Sequence, residues 1–257
     1  MLLAIDTGNT QTVVGLFDGA ELVSTWRLAT SADRTSDEHA LVVSQLLDLE
    51  GYPAEEVITG IAVASTVPSL TATLRTMAER WFDVRTVVLE PGVRSGVAIL
   101  ADNPKEVGAD RVANTVAVHH LFGGPAVVVD FGTSTNFDAV SARGEYLGGA
   151  IVPGIEISLD ALFARAAALR RVELVEPRSV IGRTTVECIQ SGALYGYTDL
   201  VDGMCRRMQA ELGECTVVAT GGLSGLISPL SVTIQHHEPW LTLHGLRLVF
   251  ERNTSEK

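Results

Sequence analysis

Two stretches of the chain set a carboxylate, a glycine and small hydroxyl or amide side chains between apolar runs. The first is AIDTGNTQTVVGLF, residues 4–17; the second is PAVVVDFGTSTNFDAVSARGEYLGG, residues 125–149. A hairpin turn would explain Gly8 and Asn9 by their tolerance of positive φ. A phosphate-binding turn would explain the acids and hydroxyls as well. Glycine lets backbone N–H groups approach phosphate oxygens, and Thr or Asn adds neutral donors. A carboxylate beside phosphate needs a cation between them, as Mg²⁺ provides in phosphoryl-transfer sites. Asp6 and Asp130 therefore read as cation holders, and Gly8, Asn9, Thr10, Gly132, Thr133 and Thr135 as phosphate donors. A single Asp-x-Gly fits a plain turn as well as a site; the repeated pair favours the site.

Two further stretches could do chemistry. Gly108-Ala109-Asp110-Arg111 opens an apolar helical pattern after the turn signal Asn103-Pro104. Asp110 is either a residue favoured at a helix N-terminus or a general base that takes a hydroxyl proton, with Arg111 binding an anionic group. Ala219-Thr220-Gly221-Gly222 follows the apolar run CTVV. It reads equally as a strand-to-helix turn and as a flat backbone surface for an adenine or ribose.

The elements that position these residues repeat. Asp6 and Asp130, Gly8 and Gly132, and Glu21 and Glu145 all lie 124 residues apart. Each copy reads as strand, Asp-x-Gly turn, strand, polar turn, strand, which points to a duplicated unit. Helices are expected over SDEHALVVSQLLDLE, with Gly51 as the stop, SLTATLRTMAERWF, GADRVANTVAVHHLFGG, SLDALFARAAAL, the run from Thr185 to Leu212, and LTLHGLRLVFERN. Strands are expected over ITGIAVASTVP, TVVLEPG and CTVV. The sum is an α/β chain of two similar halves, 1–117 and 118–257, with a ligand cleft expected between their equivalent turns.

Composition narrows the classes. With 46% hydrophobic and 19% charged residues the chain has the makings of a core, and its net charge of −12 disfavours nucleic acid and anionic membrane as partners. No apolar run reaches the roughly 20 residues of a membrane span, and the N-terminus lacks the pattern of a secretory signal. Cys188, Cys205 and Cys215 form no C-x-x-C pair and read as buried, reduced thiols. The cytoplasm is the expected location. Lys105 and Lys257 are the only lysines, and neither stands in a P-loop context. His119–His120 and His236–His237 are adjacent pairs whose side chains diverge, so they read as surface or packing residues.

DTGNT at 6–10, DNPKEVGADR at 102–111, DFGTSTNFD at 130–138, GGAIVPG at 148–154, IGRTT at 181–185 and TGGL at 220–223 together resemble the type III pantothenate kinases. The resemblance runs from residue 2 to about 253. It implies the acetate/sugar kinase–Hsp70–actin superfamily, a duplicated ribonuclease-H-like (actin-like ATPase) fold with the nucleotide cleft between its halves. The activity implied is ATP-dependent phosphorylation of the 4′-hydroxyl of pantothenate, the first step toward coenzyme A. By similarity Asp6, Thr7, Gly8, Asn9, Thr10, Gln11, Thr12 and Val13 form the first ATP loop, with Asp6 near Mg²⁺, and Thr133 belongs to the second. Asp130 is implied as the ligand of K⁺ or NH₄⁺. Gly108, Ala109, Asp110 and Arg111 are implied to contact pantothenate, Asp110 as proton acceptor and Arg111 on the carboxylate. Thr185 is implied in a substrate pocket completed by a homodimer partner. Two positions depart from the pattern: Asn136 stands where members commonly carry Thr, and Ala101 where a tyrosine is often found. The alternative function is a catalytically silent relative acting as a regulatory or accessory protein.

Overall fold

The computed structural model describes residues 1–166 and 168–255; Lys257 lies outside them. In chain order the elements are β1 (Leu2–Thr7), β2 (Gln11–Asp18), β3 (Glu21–Ala29), α1 (Ser36–Leu49), α2 (Ala54–Val57), β4 (Gly60–Ser65), α3 (Pro68–Met77), β5 (Arg85–Val88) and α4 (Ala109–Phe122). There follow β6 (Ala126–Phe131), β7 (Ser134–Val140), β8 (Tyr146–Pro153), α5 (Ile155–Arg165), α6 (Thr185–Leu212), β9 (Thr216–Thr220), α7 (Ser224–Ile227), β10 (His236–His237) and α8 (Leu241–Thr254).

The chain divides into two compact units. One comprises Met1–Ala117 with Leu241–Lys257, the other Val118–Trp240. Each holds a five-stranded sheet of the same topology, β3-β2-β1-β4-β5 in the first and β8-β7-β6-β9-β10 in the second. The first three strands of each run antiparallel, and the remaining two join in parallel. β1 and β6 lie at the centre, buried on both faces, which explains their continuous apolar composition up to the aspartate.

Duplication extends to irregularities. A β-bulge falls between Leu16 and Phe17 in one unit and between Ala139 and Val140 in the other. The spacing of 124 conceals two compensating differences. Asp6 pairs with Val13 but Asp130 with Asn136, so the second turn is one residue shorter. Val140 then pairs with Tyr146 where Phe17 pairs with Leu22, so the next turn is one longer and the offset returns.

In the first unit α1 begins at a capping box, with Glu38 N–H on Thr35 Oγ1 (3.3 Å) and Thr35 N–H on the Glu38 carboxylate (2.8 Å). Its Ala40, Val43 and Leu47 stripe packs with Leu74 and Met77 of α3 on Leu3, Ile5, Val14, Leu16, Ile61 and Val63 of the sheet. In the second unit Leu194, Val201 and Cys205 of α6 cover Val127, Val129, Phe131, Phe137, Val217 and Ala219. Full burial of each such side chain contributes roughly 1.5–3 kcal/mol.

Four expectations shift. Cys205 and Cys215 are buried as expected, but Cys188, in the first turn of α6, is exposed. The helix expected to Phe82 is α3 followed by a π-helical turn over Ala78–Phe82. The helix expected to Leu169 ends at Arg165, and residue 167 lies outside the described residues. The largest concerns the division at 118–257, because α8 belongs to the first unit. Leu241, Leu243, Leu246 and Val249 of α8 are buried, and Thr242 bonds Asn114 of α4 at 2.8 Å. The first sheet needs an apolar layer on its second face, and the chain's end supplies it.

Candidate active site

The first turn links Thr7 to Thr12, which face each other across the strand pair, and closes with Gly8 N–H on the Gln11 carbonyl at 2.9 Å. Asn9, Thr10 and Gln11 are exposed at its tip; Asp6, Gly8 and Val13 are partly exposed; the Thr7 and Thr12 side chains are buried. Thr30, just past β3, braces the turn from behind. Its hydroxyl bonds the Gly8 carbonyl at 2.8 Å and the Thr12 hydroxyl at 3.0 Å, while its N–H reaches the Thr10 carbonyl at 3.0 Å. Thr66 donates its N–H (2.9 Å) and its hydroxyl (3.2 Å) to the Thr7 carbonyl. Neither Thr30 nor Thr66 is legible as a site residue in the motifs. Thr30 does leave one signal, since it precedes Gly154 by the repeat spacing of 124.

The second turn links Phe131 to Thr135 and closes with Gly132 N–H on the Ser134 carbonyl at 3.0 Å. Gly132 and Thr133 are exposed, but Thr135 is 1% exposed, so its hydroxyl lies beneath the turn rather than on it. Gly154 takes the bracing role of Thr30, with its N–H on the Thr133 carbonyl at 3.1 Å. A side chain there would run into the Thr133 and Gly132 carbonyls. Tyr197 of α6 fixes this corner: its hydroxyl lies 3.0 Å from the Pro153 carbonyl and 3.2 Å from that of Gly154 and shares its one proton between them. Asn136, the departure from the usual Thr, accepts the Ser134 hydroxyl at 2.9 Å.

Asp130, one residue before the end of β6, is partly exposed and lies beside the turn that follows β9. Gly221 there has φ +92°, and a Cβ on it would lie 2.5 Å from Asp130 Oδ1. The glycine thus permits both the left-handed backbone and the close approach of this turn to the carboxylate. Contacts within the second unit join Asp130, the Gly132–Ser134 turn, Gly154 and Gly221 into one cluster.

In the first unit Pro104–Glu106 forms a 3-10 turn, with Asn103 Nδ2 on the Glu106 carboxylate at 2.6 Å. Ala101 is partly buried next to it. Asp110 is the second residue of α4 and, like Gly108, Ala109 and Arg111 around it, is partly exposed at the level of the whole residue. Its side chain folds back over Gly108, where any Cβ would overlap Asp110 Oδ1. That oxygen is buried without a hydrogen-bond partner. Burial pushes the Asp110 carboxyl above its ordinary 3.8, against the opposing pull of the Arg111 and Asp110 backbone N–H groups and the Arg111 charge. The result is a carboxylate more basic than usual, fit to accept a proton. The two meanings left open by the sequence coexist: Asp110 stands in the first helical turn and also keeps a lone pair unspent.

Thr185 is the first residue of α6 and is exposed; the cap is Thr184, whose hydroxyl accepts Glu187 N–H at 3.2 Å. Glu187 in turn bonds Arg183 N–H (2.9 Å) and Arg178 Nε (2.7 Å), which hold its carboxyl below the ordinary range. This cap is written in the sequence as T-x-x-E, a signal the motif reading passed over. Among the described residues no three His, Cys, Asp or Glu side chains gather as a metal cage. A cation at Asp6 or Asp130 would therefore complete its oxygen shell from a bound ligand, backbone or water.

The sequence profile of type III pantothenate kinases matches residues 2–207. The chain belongs to this family. Curated type III pantothenate kinases agree along the whole length. That of Saccharopolyspora erythraea is 60% identical, covering 98% of this chain and 99% of its own; that of Frankia alni is 58% identical, covering 98% and 100%. Solved structures share the fold at low identity. A Campylobacter jejuni protein assigned to the Baf family of transcriptional activators superposes with a TM-score of 0.57 at 17% identity, covering 98% of this chain and 97% of its own. The Arthrobacter inorganic polyphosphate/ATP-glucomannokinase gives 0.50 at 13%, covering 98% and 97%. This pantothenate kinase chain thus has the duplicated ribonuclease-H-like fold of the actin-like ATPases and sugar kinases. The regulatory alternative draws no support from the Campylobacter likeness, which at that identity speaks for the fold alone. The relatives alike along the full chain are named as kinases.

Proposed function

We propose that the chain transfers the γ-phosphoryl group of ATP to the 4′-hydroxyl of pantothenate, giving 4′-phosphopantothenate for coenzyme A synthesis. Besides membership of the family, the observation that carries this reading is Asp110, whose carboxyl has a raised pKa and one buried, unpartnered oxygen. A primary alcohol is a poor acid, so its proton leaves late, as the bond to phosphorus forms, and a basic carboxylate is the group to receive it. Positioning and charge neutralisation supply most of the remaining catalysis. Arg111 pairs with the pantothenate carboxylate, with Gly108 and Ala109 along the substrate. The turn Asp6–Val13 serves the ATP phosphates through its exposed tip, and Thr133 does so from the second unit.

The residues present suit hard cations, which favour oxygen ligands. Asp6, one residue before the end of β1, is partly exposed and would hold Mg²⁺, which neutralises phosphate charge when bound with ATP. Asp130 lies in a cradle that a Cβ at Gly221 would fill, and would hold K⁺ or NH₄⁺. No helix among the described residues is long and apolar enough to cross a membrane, and the proposed setting is the cytoplasm.

We place a homodimer interface on the second unit. Ile151, Val180 and Ile181 are 63%, 65% and 80% exposed, with Ile157, Leu162 and Val186 also exposed nearby in the chain. Gly192 and Gly196, one turn apart on α6, are exposed with open space where a Cβ would stand. Glycine inside a helix costs about 1 kcal/mol relative to alanine, a cost offset if another surface approaches closely. Thr185 lies within this stretch, so a partner copy there would reach it.

The direct test mixes the protein with ATP, Mg²⁺ and pantothenate in K⁺ or in Na⁺. Pantothenate-dependent ADP release in K⁺ is expected, with little in Na⁺. Absence of release in K⁺ would overturn the activity, and equal release in both would remove the role given to Asp130.

A further inference from the structure

The two adjacent histidines of β10 do different things. His236 pairs with Val218 and stacks its ring on Phe122, with centroids 4.6 Å apart. His237 pairs with Ala219, and its Nε2 lies 2.8 Å from Ser224 Oγ. Ser224 is 1% exposed and donates its hydroxyl to the Gly221 carbonyl at 2.6 Å. A hydroxyl has one proton to give. With that proton on Gly221, the Ser224 oxygen must accept from His237, which places the imidazole proton on Nε2. The relay therefore runs from His237 N–H to Ser224 to the Gly221 carbonyl.

Gly221 is the residue whose backbone closes on Asp130. Its Cα carries no room for a side chain: a Cβ would lie 2.5 Å from Asp130 Oδ1 and 2.7 Å from both N and O of Phe131. At its other end the relay is anchored. Buried Asp202 of α6 accepts the Ser231 hydroxyl (2.5 Å), the Val232 and Thr233 N–H groups (both 3.1 Å) and the Thr233 hydroxyl (2.7 Å). This ties down the segment that leads into β10 and fixes the reach of His237.

We infer that His237 and Ser224 are positioning residues that hold the Gly221 turn in register over Asp130, and so set the geometry of its cation and nucleotide site. The inference rests on the reading of Asp130 as a ligand of a monovalent cation. It gives a use to a histidine that looked like a surface residue, and it explains a left-handed turn locked from behind by two side chains.

The test measures binding without turnover. Calorimetry follows the non-hydrolysable analogue β,γ-imido-ATP with Mg²⁺ across a K⁺ titration, with the thermal melt recorded for each protein. For His237→Ala the K⁺ midpoint, the analogue's dissociation constant or both should rise roughly two- to ten-fold, the effect of one hydrogen bond. The dissociation constant for pantothenate, measured by the same calorimetry, should stay at the wild-type value. His237→Gln, whose amide N–H can replace the imidazole donor, should recover most of the loss. Ser224→Ala should match or exceed His237→Ala; because His237 is exposed, its variants remain informative if the serine variant folds poorly. Unchanged K⁺ midpoint and analogue affinity in His237→Ala would overturn the relay. So would an equal loss of pantothenate affinity with a lowered melt, which marks a merely structural role. Wild-type protein that binds the analogue identically in K⁺ and Na⁺ would instead remove the cation reading of Asp130, and the relay's purpose with it.

Discussion

At Asp110 burial raises the carboxyl pKa, and two backbone N–H groups with the Arg111 charge fail to bring it back. A carboxyl whose folded pKa is raised stabilises the fold most below its ordinary 3.8, and that stability is lost as pH rises through the raised value. The ionised form of Asp110 is therefore a burden on the fold, and under the proposed mechanism it is the form that the reaction uses. Asp110→Asn keeps the shape and removes the charge. It should lower turnover by roughly 10²–10⁴-fold, leave nucleotide binding intact, and melt at the same temperature as the wild type or higher. In the wild type the acid limb of kcat/KM should lie above the ordinary carboxylate range. Retained turnover in the Asn variant would return Asp110 to a helix-end residue, and a large drop in melting temperature would contradict the sign worked out above.

The hairpin is the next scale. Each unit braces its first turn from the end of its third strand, which is what the proposed phosphate-binding role would require of a turn whose tip must stay rigid. In the first unit the brace is a side chain, Thr30, and in the second it is the bare backbone of Gly154. Thr30→Val keeps volume and strand preference but loses the hydroxyl bonds to Gly8 and Thr12. The expected cost is about 1–2 kcal/mol of stability, read by denaturant unfolding. A rise in KM for ATP larger than that for pantothenate should accompany it. If the two KM values move together, the brace serves the fold and not the nucleotide loop.

At the scale of the molecule the first unit takes its last layer from the chain's C-terminus, whereas the second leaves an apolar stretch uncovered. Interfaces of obligate dimers resemble a domain core cut in half, and Ile181 and Val180 are among the residues such an interface would bury. Sedimentation velocity should show a dimer of the 27.3 kDa chain. Ile181→Glu should shift it toward monomer and weaken pantothenate binding more than ATP binding, because Thr185 lies in the same stretch. A wild-type monomer, or a dimer indifferent to Ile181→Glu, would move the interface elsewhere.

Much of this was legible in one dimension because the chain repeats itself. Asp6 and Asp130, the glycines after them and the strand–turn–strand pattern mark a duplicated α/β unit, and local hydrogen bonding then closes each turn as its residue types require. Gly108–Arg111 could be singled out as an acid at a helix start, though its double nature could not. Other facts depend on residues far apart in sequence. The sheet registers absorb a one-residue difference that the constant spacing hides, and α8 returns across the whole chain to pack on α4, where Gly245 has room for no side chain beside the Ala113 carbonyl. Burial of Asp110 and the setting of Gly221 over Asp130 belong to the same kind, since a pKa and a close approach come from what surrounds a group. The sequence by itself determined the repeat, the acids and the family; only the tertiary structure decided which carboxylate is desolvated and which turn is held, because desolvation and packing have no local signature.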